Sequence, residues 1–178
     1  SNNWQVYYNG TDRLKLDTNE ATSTTASQLM SANATTITTP SYADGAWGNG
    51  SGLNYITYAF QEIKGFSKIG RYTGNGNADG VYQHLGFSAS WLMIKRTDST
   101  ASWVIFDNKR LGYNVANYQL YANSTSGEGN NVLLDITSQG FKCRPNHLDV
   151  NGSGASYIYL AFAEAPLVSS NGVPAVAR

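Results

Sequence analysis

Short stretches that alternate apolar and polar residues recur along the whole chain, and stretches with helical spacing do not. Trp4-Gln5-Val6-Tyr7-Tyr8 reads as a strand turned by Asn9-Gly10, and Leu14-Lys15-Leu16-Asp17 repeats the period of two that marks a half-buried strand. Further strands are predicted at Tyr55–Phe60, Trp91–Arg96, Trp103–Asp107, Val132–Ile136, Gly140–Cys143 and Tyr157–Ala163. Gly, Asn, Ser and Asp fill the turns between them. The one segment that competes as a helix, Glu20–Met30, is rich in Thr and Ser, which are poor helix formers, and reads as a loop. Many short strands at regular spacing predict an all-β fold, an antiparallel β-sandwich of the lectin-like or jelly-roll-like kind.

The strands fall into two related β units. Asn49-Gly50-Ser51-Gly52-Leu53-Asn54-Tyr55-Ile56-Thr57-Tyr58-Ala59-Phe60-Gln61-Glu62 returns as Asn151-Gly152-Ser153-Gly154-Ala155-Ser156-Tyr157-Ile158-Tyr159-Leu160-Ala161-Phe162-Ala163-Glu164, in constant register and with nine of fourteen positions identical. Such a repeat reads as a Gly-rich turn feeding a strand with one burial pattern. Upstream, Trp4-Gln5-Val6-Tyr7 with Arg13-Leu14 answers Trp103-Val104-Ile105-Phe106 with Arg110-Leu111. Residues 1–64 form the first unit. Residues 65–178 form a patterned joint, Gly65–Gly80, and the second unit, the two together making one compact domain. Gly86–Arg96 gives the second unit a strand ahead of its Trp, whereas the first has three residues before Trp4 and the chain starts at Ser1. The expectation is that the first unit's opening strand lies upstream or is supplied by another chain across an open sheet edge.

Composition narrows the classes. Charged residues make up 13 % of the 178, with Lys+Arg and Asp+Glu balanced at 12 each, so no field favours nucleic acid or an anionic membrane. No apolar run reaches the length of a membrane span, and the N-terminus does not read as a signal peptide, so membrane insertion is not expected. The single cysteine, Cys143, cannot form a disulfide within the chain. Twelve Tyr and four Trp among abundant Asn, Ser and Gly make a composition that both strands and contact surfaces use. Asn-x-Ser/Thr triplets, as at Asn9 and Asn151, are expected by chance in such a chain.

The string Gly65-Phe66-Ser67-Lys68-Ile69-Gly70-Arg71-Tyr72-Thr73-Gly74-Asn75-Gly76, then Gly86-Phe87, Ile94-Lys95-Arg96-Thr97, Trp103–Arg110 and Tyr157–Pro166, resembles a domain family of tail-fibre and other virion proteins of tailed bacteriophages, marine ones in particular. The resemblance covers most of the chain from Trp4 and is strongest after Gly65. It implies a lectin-like β-sandwich on the outside of a virion, built from repeated units, and it brings no catalytic motif. One departure is Ser88-Ala89-Ser90, where the family tends to have a proline.

Candidate chemistry is sparse. Asn75-x-Asn77-x-Asp79-Gly80 has the oxygen spacing of a calcium loop, but Asp79 is its one charged ligand and Gly86 and Phe87 stand where a closing carboxylate would, so a Gly/Asn turn is the reading and no metal or cofactor is expected. His84 and His147 lie beside no nucleophile motif. Neighbouring Lys142 and Arg144 could activate the Cys143 thiol, although a small strand residue is the simpler role. A glycosidase would need two carboxylates on one concave face, drawn from Glu62, Glu128, Glu164, Asp107 and Asp135. Glu62 and Glu164, at equivalent repeat positions, suggest a shared structural role, and Asp107 with Arg110 an ion pair. Binding aromatics are expected at Tyr42 and Trp47 in the turn-rich stretch 40–52, and at Tyr113, Tyr118 and Tyr121 in the Asn-rich stretch 112–123, while Trp4, Trp91 and Trp103 begin strands and belong in the core.

The expectation is therefore a non-enzymatic virion appendage protein, a tail-fibre, head-fibre or decoration domain that attaches to a host-surface glycan or receptor. The alternatives are a purely structural assembly or decoration protein and a polysaccharide-degrading tail enzyme. Partners would be other virion proteins and other copies of the chain, fibres being commonly trimeric.

Overall fold

The computed structural model describes residues 3–10, 12–24, 30–33, 35–39, 51–110 and 116–164. Every regular element among them is a strand. Two small antiparallel pairs come first: β1 (Gln5–Tyr7) with β2 (Arg13–Lys15), and β3 (Ser31–Ala32) with β4 (Ile37–Thr38). The body is one eight-stranded antiparallel sheet formed by β5 (Ser67–Thr73), β6 (Tyr82–His84), β7 (Ala89–Arg96), β8 (Trp103–Asp107), β9 (Ala116–Tyr121), β10 (Gly129–Thr137), β11 (Gly140–Cys143) and β12 (Ser156–Ala163). Its spatial order is β5-β12-β7-β8-β9-β10-β11-β6.

The sheet curls until its halves face one another, nearly closing into a barrel. β9 makes the corner, paired through Val104↔Tyr121 to β8 and through Gly129↔Gln119 to β10, where the register shifts between Asn130 and Leu134. Such a bulge bends a strand and lets one sheet turn onto itself. Between the halves lies the core. Tyr72 and Tyr157 stack at 4.9 Å, and Phe141 from the opposite half sets its edge against Tyr72 and Tyr159. Leu92, Ile94, Val104, Phe106, Leu134 and Ile136 fill the rest.

The expected all-β sandwich is therefore present, and seven of the eight expected strands sit close to where the pattern puts them. The two units are not equivalent, however. The whole eight-stranded sheet lies within residues 67–163, and the joint contributes one of its strands, β5, with β6 directly after it. Tyr55–Phe60 forms no strand, although its copy, β12, lies inside the sheet between β5 and β7. Gly52 and Gly154, at equivalent positions ahead of the two segments, hold φ of 73° and 70°, a conformation open to glycine. What the first unit lacks among the described residues is a pair of strands flanking Tyr55–Phe60. Of the segment Glu20–Met30, residues 25–29 lie outside the described set, and the remainder contains no helix.

The second turn is held by one buried amide. Asn151 is fully buried, and its Nδ2 donates to Asn75 Oδ1, Asn77 O and Pro145 O at 3.0–3.1 Å, while its Oδ1 accepts from Asn75 N. This ties the loop after β5 to the loop before β12. The loops touch so closely that a Cβ on Gly74 would stand 2.3 Å from Gly152 O.

On the sheet's outer face, Lys95 and Trp103 are Cα partners, and both are buried. The β1–β2 hairpin reaches them, with Trp103 Nε1 donating to Lys15 O at 2.8 Å. Backbone bonds from Thr22 N to Thr97 O and from Ala101 N to Asn19 O fasten the same segment to the β7–β8 turn. Burial pushes the Lys95 ammonium down to about 8, against the opposing pull of Asp149, and its Nζ donates to Arg96 O.

Asn151→Ala is expected to cost roughly 2–4 kcal/mol, because it leaves several buried polar groups without partners. Urea unfolding should show a lower midpoint at unchanged slope. For Lys95, the unfolded chain holds the proton to about pH 10.4, so between about 8 and that value the unfolded state binds more protons and stability rises with pH. Thermal melts of wild type and Lys95→Met across this range should show a gain in the wild type that the variant lacks.

Candidate contact surface

Strand β12 is apolar on both faces. Tyr157, Tyr159, Ala161 and Ala163 enter the core, and Ile158, Leu160 and Phe162 point outward and are half-buried. Cross-strand partners share a face of a sheet. The registers Leu160↔Ile69, Leu160↔Met93, Met93↔Ile105 and Ile105↔Leu120 therefore line up an apolar row across β5, β12, β7, β8 and β9 on the outside. At one end of that face Phe162 gathers Phe60, Phe66 and Trp91, all with ring centroids within 6 Å.

The strand-like segment of the first unit lies beside this face and is largely open to solvent. Ile56 is 73 % exposed, Tyr58 70 % and Phe60 57 %, with Leu53 and Ile63 also exposed. Trp4, expected in the core, is 52 % exposed and stacks on Tyr58 at 6.2 Å. The correction has a local cause: Trp103 is covered by the β1–β2 hairpin, whereas the ring that Trp4 meets, Tyr58, is itself exposed. A contiguous strip of this kind goes beyond the scattered apolar residues of an ordinary surface, which makes it the candidate contact surface of the described residues.

Of the aromatics expected to bind, Tyr118 and Tyr121 lie on β9 and are half-buried. Tyr121 packs against the core and its hydroxyl accepts from Gln119 Nε2 at 3.1 Å. Tyr42, Trp47 and Tyr113 lie outside the described residues. The strip Leu53–Ile63 and Trp4 were not singled out for binding. Their signal was present in Tyr55–Phe60, which is apolar at both parities and so needs cover on two sides, but a strand assignment supplied that cover by assumption.

The candidate carboxylates are engaged in ion pairs. Glu62 meets Lys68 and Glu164 meets Lys109, both at 3.3 Å, so the equivalent repeat positions do play matching parts. Arg110 Nε binds Asp107 Oδ2 at 2.6 Å, and the same guanidinium pairs with Glu128. Burial raises the Asp107 carboxyl, but hydrogen bonds from Arg110 and from the Lys109 and Arg110 amides outweigh it and hold the group below its ordinary value. A carboxyl so held is a poor general acid. Asp135 pairs with Arg144.

The Asn75–Asp79 loop spends its oxygens internally. Asn75 Oδ1 accepts from Asn77 N and Asn151 Nδ2, and Asp79 turns outward to Lys142, whose hydrogen bond lowers its pKa. Among the described residues no three His, Cys, Asp or Glu side chains converge as metal ligands. Cys143 is buried against Tyr72, and burial pushes its thiol up to about 12, opposite to activation by neighbouring cations. His84 lies on the edge strand β6, while His147 accepts from Asp149 N at 3.3 Å. Among the described residues no helix is long and apolar enough to cross a membrane.

No curated protein and no solved structure matches the chain. A family model does, over residues 1–166, and the chain accordingly belongs to the DUF7483 family, a domain of unknown function.

Proposed function

We propose that this chain is a non-enzymatic module of a virion appendage that works by surface contact, and that its part there is structural assembly. The observation that carries this reading is the contiguous apolar strip of Leu53, Ile56, Tyr58, Phe60 and Trp4 beside an apolar sheet face. Assembly proteins hide such surfaces between subunits, and a monomer in solution gains nothing from them. The ion-paired state of Glu62, Glu128, Glu164, Asp107 and Asp135 weighs against the polysaccharide-degrading alternative. The place in a virion rests on the likeness of Gly65–Gly76 and Tyr157–Pro166 to tailed-phage fibre proteins.

One observation favours attachment to host glycan as a second reading. The stacked rings of Trp4 and Tyr58 are both exposed, and aromatic faces of this kind receive the C–H faces of sugars.

An antibody raised against the purified chain should decorate the appendage of the particle whose genome encodes it; particles without label would overturn the virion assignment. A glycan array separates the two readings. Assembly predicts no retained glycan. Attachment predicts retention that Trp4→Ala and Tyr58→Ala each abolish while far-ultraviolet circular dichroism stays unchanged.

A further inference from the structure

We infer that the strip of one chain pairs as a β-strand with the open edge of β5 in a second copy of this chain. The inference rests on reading the strip as a contact surface and does not depend on the virion assignment.

The repeat identifies the kind of partner. Residues 49–62 copy residues 151–164, and the second copy shows where such a sequence settles in this protein: as β12, antiparallel to β5, between two strands. The first copy has Gly52 at φ 73° where the second has Gly154 at φ 70°, but no ladder among the described residues. Every copy of the chain thus displays a segment with the sequence of β12 outside a sheet.

Every copy also displays a receiving edge. β5 ends the sheet order and pairs with β12 on one side only. Gly74 N donates to Ala155 O, so in the alternation of an antiparallel ladder Tyr72, Gly70 and Lys68 turn their backbone groups to β12. Ser67, Ile69, Arg71 and Thr73 turn theirs to the other side. Ser67 is taken there by Ile63 of its own chain, through Ile63 N to Ser67 O and Ser67 N to Ile63 O. Ile69, Arg71 and Thr73 remain, an edge whose donors and acceptors find no backbone partner among the described residues and that invites a strand.

The register that β12 uses on β5, Leu160↔Ile69 and Ile158↔Arg71, places Tyr58 opposite Ile69 and Ile56 opposite Arg71 when carried to the first copy. Tyr58 then extends the outer apolar row Ile69–Leu160–Met93–Ile105–Leu120 by one strand. Backbone pairing and apolar cover are thereby met by the same placement. The chain has no net formal charge, so two copies do not repel at long range. Giving and receiving surfaces on one chain allow a reciprocal exchange about a twofold axis, which closes.

The same register puts Ala59 opposite Lys68, as Ala161 is within the chain. The test mixes two single variants, Ala59→Cys and Lys68→Cys, under mild oxidation; native Cys143 is buried in both. The expected result is a covalent dimer from the mixture that neither variant gives alone. Light scattering should give the wild type twice the monomer mass, and Ile56→Lys/Tyr58→Lys the monomer mass with an unchanged far-ultraviolet spectrum. A monomeric wild type at high micromolar concentration overturns the inference, as does a dimer that the mixed cysteines fail to trap. If the wild type is monomeric but the antibody still marks the appendage, the contact reading survives and this partner does not.

Discussion

The sheet depends on a single buried side chain. Asn151 holds the loop after β5 against the loop before β12, and these loops deliver the two strands whose Tyr72 and Tyr157 stack at the centre of the core. A buried amide is costly unless its hydrogen-bonding capacity is met, and here both ends are used. The knot also fixes phase. With Gly74 bound to Ala155, Tyr72 falls opposite Tyr157 and Gly70 opposite Tyr159, so that the ring of Tyr159 occupies the space a side chain at Gly70 would fill. A slip of one residue would turn Tyr157, Tyr159 and Ala161 to the outside. Tyr72 and Tyr157 add anchors of their own, their hydroxyls donating to Val150 O and Leu148 O, carbonyls of the loop that Asn151 closes.

From this follows the two-faced character of β12. A strand in the middle of a sheet that packs on one side alone needs apolar residues at one parity. β12 has them at both, because its outer face is a second surface to be covered. The β1–β2 hairpin covers one end, over Trp103 and Lys95, and Phe60 and Phe66 cover part of the other. Lys95 measures how complete the first cover is: its ammonium is buried well enough to lose affinity for its proton, yet keeps a carbonyl partner. Between the two covers the face stays partly open, and there the strip of the first unit begins.

The fold class was legible because period-two alternation and turn residues are local properties, and local properties suffice to mark strands such as β7, β8 and β12. β5 and β9 were harder. In β5 the glycine at position 70 and charges at Lys68 and Arg71 hide the pattern, because one inward position is filled by a neighbour's ring rather than by its own side chain. In β9 the Asn-rich context suggested a surface loop, although Gln119 is fully buried there at the bend. The largest departure, Tyr55–Phe60, could not be read from local pattern at all. Its sequence is that of a strand and nearly that of β12. Whether such a segment joins a ladder is decided by the presence of edges on either side, a property of the surroundings and not of the six residues. The contact surface was missed for the same reason, since exposure of Ile56 and Tyr58 is the consequence of that missing ladder.

An internal repeat commonly signals two domains of one design, but here the units have divided the work. The second keeps the turn, the strand and the neighbours, and makes a closed core. The first keeps the sequence of the turn and of the strand and leaves apolar side chains outward. Drift toward a simple surface loop would have replaced Ile56, Tyr58 and Phe60 with polar residues at little cost, because nothing in the described core rests on Ile56 or Tyr58. The retention of β12's apolar pattern at positions where solvent is the neighbour therefore needs a reason outside the closed sheet. The acidic residues make the contrast sharper: Glu62 and Glu164 keep one role, an exposed ion pair at the end of the copied segment, whether or not the segment is in a ladder. What differs between the copies is not the sequence that pairs but the edge available to pair with, and β5 offers such an edge at Ile69, Arg71 and Thr73.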